Sequence, residues 1–321
     1  MILCEFTPEG YPMQRLSLRD KPLTYQWFGY IKSIASLKFQ MSKKYGGYAK
    51  PTFSDISFIP TVFEDAWPPP KKADIILLQT DTDEFGGVLL FNGTAQRASY
   101  NRKEIKYNLR QPEFDVTVTT STAYDDTLVD VATAISTSLG LSINTTLARV
   151  TSPDVLFTTT KDTQAIDLLD DMCSFFSHGF KIIEGTLYLM DMLGTETGTD
   201  LTEFDVLPCS YKDDKSISLV TSGEFSVAGS SPNGDEHNIS TAYHTTQGNV
   251  ETALTDIKTI LERDLATVNA KISDTQPQIL DRFTLFDESS INPLTTTARV
   301  TSIIYNYNSL NLQIEGHGAV V

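Results

Sequence analysis

The stretch Thr163-Gln-Ala-Ile-Asp-Leu-Leu-Asp-Asp-Met-Cys-Ser-Phe-Phe-Ser-His-Gly-Phe-Lys-Ile-Ile-Glu-Gly-Thr-Leu-Tyr-Leu-Met190 changes its period halfway along. In the first half Ile166, Leu169, Met172, Cys173 and Phe176 recur at three and four, which predicts one apolar helix face, with Gly179 as the stop. In the second half two short apolar runs flank Glu184-Gly185, which predicts a hairpin. Just upstream, Leu128, Val131, Ala132, Ile135 and Leu139 predict another amphipathic helix, capped by Asp125, Asp126 or Thr127 and stopped by Gly140. Residues 121–198 therefore read as helix, connector, helix, hairpin.

Both flanks are extended in character. From Ile31 to Met41 apolar residues favour alternate positions, the period of a strand with one wet face. Gly46-Gly47 breaks that run, and a further extended stretch passes through Phe53, Ile56, Phe58 and Ile59. Trp67-Pro-Pro-Pro70 is a stiff, non-helical connector. Strand-like segments follow at 74–78, 87–95, 103–109 and 114–120, so residues 1–120 read as a barrel or sandwich of short strands.

After the central unit, residues 199–321 read as a second β-rich region with strands at 216–220, 224–228, 298–307 and 309–315. Gly229 to His237 is expected to be a mobile loop or a contact surface. Residues 249–272 are expected to form the longest helix, with an apolar line from Val250 through Leu254, Ile257, Leu261, Leu265 and Val268 to Ile272. That line is close to a heptad seam. Packing on the chain's own sheet is favoured over self-association around a symmetry axis. The expected fold class is α+β, mainly β.

Composition narrows the function. Of 321 residues, 40% are hydrophobic and 21% charged, as in a folded chain rather than a disordered one. No apolar run is long enough to span a bilayer. The N-terminal residues lack the basic leader and apolar stretch of a signal peptide, so folding in the cytoplasm is expected. The net charge of −16 disfavours nucleic-acid binding, which depends on cations placed at phosphates. The same charge suits a passage through which DNA slides without adhering. Cys4, Cys173 and Cys209 are too few and too dispersed for a disulfide framework or a zinc site, and are expected as buried thiols.

No arrangement for catalysis emerges. There is no H-E-x-x-H, phosphate-binding loop or G-x-S-x-G elbow. His178, His237, His244 and His317 are scattered and expected in surface or turn roles. Asp81 to Gly86 resembles the opening of a calcium loop, but Phe85 occupies a ligand position and Asn92 stands where a bidentate Glu belongs. The pairs Asp125-Asp126, Asp170-Asp171 and Asp213-Asp214 raise the question of glycoside hydrolysis, which needs two carboxyls facing across a cleft. Capping explains the first pair and solvation on the polar side of a helix the second. No catalytic, cofactor-binding or metal-binding residue is assigned, and no cofactor is expected.

Thr127-Leu-Val-Asp-Val131, Leu139-Gly-Leu141, Asp167-Leu-Leu-Asp-Asp-Met172, Gly179-Phe180 and Glu184-Gly-Thr-Leu187 fall in the order seen in the phage baseplate hub and late-control protein family. The chain resembles that family, which also supplies the spike base of type VI secretion machines. The Ala298 to Ile303 strand and its partner resemble the end of such hubs. The resemblance implies two tube-protein-like β-barrel regions with the helix-helix-hairpin unit between them. It implies a homotrimeric adaptor between a six-fold tail tube and a three-fold tip, with sheet edges covered by neighbours. The implied partners are tail tube or distal tail protein, tip, spike or fibre proteins, and the tape-measure protein, with DNA passing unbound through a channel. The implied location is the virion tail, assembled in the host cytoplasm. The sequence shows neither a spike or lysozyme domain nor the cysteine cluster some hubs use for an iron–sulfur site. Two other readings stay open: a receptor- or glycan-binding tail module using Trp27 and Trp67, and a cell-wall hydrolase.

Overall fold

The computed structural model describes residues 2–17, 31–34, 37–53, 56–58, 68–79, 88–110, 116–194, 199–201, 206–239, 247–264, 266–272, 278–287, 294–306 and 311–320. They are mainly β, with three α-helices among them. Two units divide the chain. The first comprises 1–37, 52–114 and 305–310, and the second 38–51, 115–304 and 311–321.

The first unit is built on a seven-stranded sheet. Its order is Gln14–Ser17, Ile2–Pro8, Lys72–Gln79, Val88–Tyr100, Ile105–Arg110, Ile56–Phe58 and Ile31–Ile34. Alternation sets its faces: Ala73, Ile75 and Leu77 are buried while Lys72 and Asp74 are exposed. Phe6, Phe58 and Tyr107 form an aromatic knot with centroids 4.7 to 5.8 Å apart. The Tyr107 hydroxyl donates to the Pro70 carbonyl at 2.7 Å, fastening the proline connector to the sheet. Burial raises the phenol's pKa, partly offset by Arg97.

In the second unit α1 spans Leu128–Ser138 and α2 spans Ala165–Phe175. Thr127 caps α1, accepting from the Asp130 N–H at 3.3 Å. Gly140, at φ +73°, follows its end. The stop of α2 differs from expectation: Ser177 takes the left-handed conformation at φ 56°, and Gly179 lies inside the strand His178–Ile183. A Cβ on Gly179 would meet Met192 Sδ at 2.9 Å and Leu280 Cδ2 at 3.1 Å, so this glycine serves close packing rather than a helix end. The partner strand Thr186–Asp191 follows through Glu184-Gly185, both at positive φ, as the hairpin reading requires.

This hairpin joins an eleven-stranded sheet, whose main path runs from Ser142–Leu147 through Thr186–Asp191, His178–Ile183, Gly46–Phe53, Leu37–Lys43, Leu294–Asn306, Asn311–Val320 and Ala266–Ile272 to Val206–Asp213. The Leu37–Lys43 and Gly46–Phe53 pair thus adds to the central hairpin, far from its neighbours in sequence. Gly47 pairs with Gly179 and Tyr48 with Phe180 in parallel register, and the last two rings stack at 4.8 Å.

The helix expected over 249–272 is shorter. α3 spans Gln247–Arg263, and Ala266–Ile272 is a strand between Val206–Asp213 and Asn311–Val320. Val268 and Ile272 sit at spacings that satisfy either period, and the sheet decides between them. The apolar face of α3 (Val250, Ala253, Leu254, Ile257, Ile260, Leu261) is buried within the chain, against α2 and the strands Ile217–Ser222 and Phe225–Ala228. It offers no free seam for a coiled coil. The Gly229 to His237 segment is a tight return rather than an open loop. Gly229 N–H donates to Ser218 O at 2.8 Å, and Asp235–Asn238 pairs parallel to Ile217–Ser222.

Gly47 holds φ +96°, and a Cβ there would run into Ser42 Oγ and Asp170 Oδ1. Gly47→Ala is therefore expected to cost about 2 kcal/mol or more. Gly140→Ala, also at positive φ but with open space around it, should cost about 1 kcal/mol. Urea unfolding of both variants checks this; equal midpoints would refute the close-approach account.

Candidate functional site

The ionisable side chains that sequence reading left scattered are gathered by the fold into three clusters, all in the second unit. In the first, the loop after Ser142–Leu147 presents Arg149, whose guanidinium grips Asp191 at the hairpin's end through Nε at 3.1 Å and a terminal nitrogen at 3.0 Å. Its other terminal nitrogen reaches Asp256 on α3 at 2.6 Å. All three side chains are largely buried. Burial alone would raise Asp191, but the Arg149 hydrogen bonds hold its pKa below the usual range. At Asp256 burial outweighs Arg149, and the pKa is raised.

His178 completes this cluster. It is fully buried, a correction to its expected surface or turn role. Its Nδ1 lies 2.8 Å from the Phe176 carbonyl, and its Nε2 accepts from the Arg149 backbone N–H at 3.4 Å. Burial pushes its pKa down to about 4. With both nitrogens engaged and the ring neutral, His178 fixes backbone and has no proton to exchange near neutrality.

In the second cluster, Lys181 Nζ donates to Gln278 Oε1 and Ile279 O, both at 3.0 Å, and to Asp281 at 3.3 Å. Burial depresses its pKa against the pull of Asp281. An open cleft of about 250 Å³ passes beside it, lined also by Asn144, Leu147, Tyr188 and Asp281. The ammonium's donors are spent on the protein's own oxygens.

The third cluster gathers Lys44, Asp214, Thr267, His317 and Glu315. Lys44 pairs with Asp214, and Thr267 Oγ1 lies 3.1 Å from both Asp214 and His317 Nδ1. Glu315 lies 3.5 Å from the far imidazole nitrogen, and His317 is buried, again unlike a surface histidine. His237 is half-buried, and His244 lies outside the described residues.

The paired carboxylates are separated by environment. Asp125 and Asp126 are exposed on the strand Ala123–Thr127, and Thr127 is the cap. Asp171 is solvated beside Lys43. Asp170, expected on the wet side of α2, instead turns inward. It accepts from Ser42 Oγ at 2.7 Å and from the Tyr48 N–H at 2.6 Å, and burial raises its pKa. Its role is to hold the glycine hairpin. The side chain of Asp213 lies outside the described residues, as do Asp81 to Gly86, Trp27 and Trp67. Cys4 and Cys173 are buried free thiols, raised in pKa by desolvation. Among the described residues no three ligating side chains converge on a metal position. None of their helices is long and apolar enough to cross a membrane. The clusters cross-brace strands and helices.

Neither a family sequence model nor a curated protein sequence matches the chain. Solved structures do. The tail protein of Neisseria meningitidis MC58 is 9% identical, with a TM-score of 0.61 over 99% of this chain and 96% of that one. The 43 kDa tail protein of prophage MuSo2 from Shewanella oneidensis is 12% identical, with a TM-score of 0.59 over 99% and 97%. Prophage tail protein gp18 from Listeria monocytogenes EGD-e is 12% identical, with a TM-score of 0.57 over 99% and 94%. The fold is that of phage tail proteins, matched from end to end.

Arg149→Met would leave Asp191 and Asp256 without their cation, and a loss of about 3 kcal/mol is expected at neutral pH. That deficit should shrink as pH falls and the carboxylates take up protons; a pH-independent deficit would refute the clamp. For His178 the folded pKa lies below the unfolded one. Its contribution is therefore complete above about 6.5 and declines as pH drops toward about 4. Urea titrations should show that decline in the native chain and a flatter profile in His178→Gln.

Proposed function

We propose that the chain is a structural subunit of a phage tail: a hub of the baseplate or tail tip that adds no chemistry of its own. The observation carrying this reading is the end-to-end likeness to three phage or prophage tail proteins, which leaves almost no part of the chain over for a separate activity. The three charged clusters support it, since their donors and acceptors are spent on bracing the fold.

The finer reading is a homotrimeric adaptor that joins the six-fold tail tube to a three-fold tip and lines part of the DNA channel. Two units in one chain suit that role, because three copies present six units. The net charge of −16 suits a wall past which a polyanion slides, since like charge opposes adhesion. Tube or distal tail protein on one side, and spike, tip or fibre proteins with the tape measure on the other, would be its neighbours in a virion tail assembled in the host cytoplasm.

Light scattering on the purified chain should give three times the 35.6 kDa protomer, and the chain should co-purify with intact tails. A strictly monomeric protein that never enters a tail would defeat this reading.

A further inference from the structure

The described residues include six large hydrophobic side chains that are exposed: Tyr11, Met13, Tyr100, Leu147, Val150 and Leu156. They fall into two groups. The first three belong to the first unit and the last three to the second.

The register of the seven-stranded sheet brings the first group to one end. Pro8 pairs with Ala73 and Lys72 with Gln96, so the turn after Ile2–Pro8, the entry to Lys72–Gln79 and the projecting hairpin around Asn101 lie side by side. Glu9 N–H to Lys72 O at 3.0 Å and Arg97 N–H to Lys71 O at 2.8 Å tie them together. This end carries Lys71, Lys72, Arg97, Arg102, Lys103 and Lys106 against Glu9 and Glu104. It is a cationic, aromatic tip on a chain of net charge −16.

Val150 and Leu156 of the second group lie in surroundings of the opposite sign. In the ribbon Ala123–Thr127 with Asp154–Thr158, Val155 and Phe157 are buried while Asp154, Leu156 and Thr158 face outward. Asp125 stands directly across from Leu156. The loop carrying the fully exposed Val150 leads into this ribbon, anchored through Ser152 and Pro153 to the first residues of α1. Asp126 and Asp130 are exposed close by. Between 123 and 158 Arg149 is the sole cation in the sequence, and it is held by Asp191 and Asp256.

We infer that the cationic, aromatic tip of one copy docks on the anionic, aliphatic ribbon of a second copy. The inference rests on the trimeric reading above and names the surfaces that would close the ring. Each surface exposes apolar side chains that a partner would cover, and each supplies the charge the other lacks. The two patches are different surfaces of the same chain, so the contact is head-to-tail, the kind that closes into a ring. Nucleic acid is the weaker match for the tip: the Arg97 guanidinium already lies 4.5 Å over the Tyr100 ring, occupying a face a base would need.

The test is sedimentation of the full chain at low and high salt, with circular dichroism confirming the fold of each variant. The wild-type chain should self-associate, less so in high salt. Arg102→Glu with Lys103→Glu, and separately Asp125→Lys with Asp154→Lys, should each weaken association about tenfold or more. A chain carrying all four substitutions should regain much of it, because the reversed residues of the tip then meet reversed residues of the ribbon with opposite sign. If the wild-type chain forms trimers that neither pair of reversals disturbs, or if the fourfold variant stays dissociated, the docking is wrong while the trimeric reading stands. If the wild-type chain never associates, both fail. If the tip reversals abolish retention of duplex DNA and leave association intact, the tip serves nucleic acid and the inference is overturned.

Discussion

The second unit depends on one close approach: a glycine-containing strand from the N-terminal third lies against the central hairpin. Gly47 meets Gly179, Tyr48 stacks on Phe180, and Asp170 of α2 accepts from Ser42 and the Tyr48 backbone. A side chain at Gly47 would occupy the space of the Asp170 carboxylate. Burying Phe180 and Tyr48 contributes a few kcal/mol by itself. Its larger consequence is topological, because this contact joins the central hairpin to the strands Leu37–Lys43 and Leu294–Asn306 in one continuous sheet. Strands as far apart in sequence as Leu37–Lys43 and Asn311–Val320 thereby share one hydrogen-bonded sheet.

Charge is used for cohesion in the same unit. Arg149 links the hairpin end to α3, Lys181 links the hairpin to the 278–281 turn, and the Lys44 cluster links the N-terminal hairpin to the closing strands. Partly buried pairs of this kind add little net stability, but losing one partner strands the other. They therefore fix which elements meet. The hairpin, α3 and the closing strands are thereby pinned to one another by specific partners.

The helices and hairpin around residues 121–198 were legible because their apolar residues repeat with one period at a time and their turns use Gly140 and Glu184-Gly185. The reading failed where a residue satisfied two periods, as Val268 and Ile272 do, and the sheet overrode the helix. It also failed where a partner lies far away in sequence. Asp170 reads as a solvated helix residue until Ser42 and Tyr48 are placed beside it, and His178 reads as a turn residue until the strand that buries it is known. Gly179 reads as a helix stop because the approach of Leu280 and Met192 has no local signature. Composition carried a net charge but not its distribution, so the cationic tip became visible only through strand register.

The central claim is that this chain acts as a piece of a tail, by shape and surface. Electron cryomicroscopy of assembled tails tests it most directly. The account predicts three copies in a closed ring around the tail axis, with carboxylates toward the lumen. Density showing the chain absent from the particle, or present as a single peripheral copy beside the tail, would contradict it.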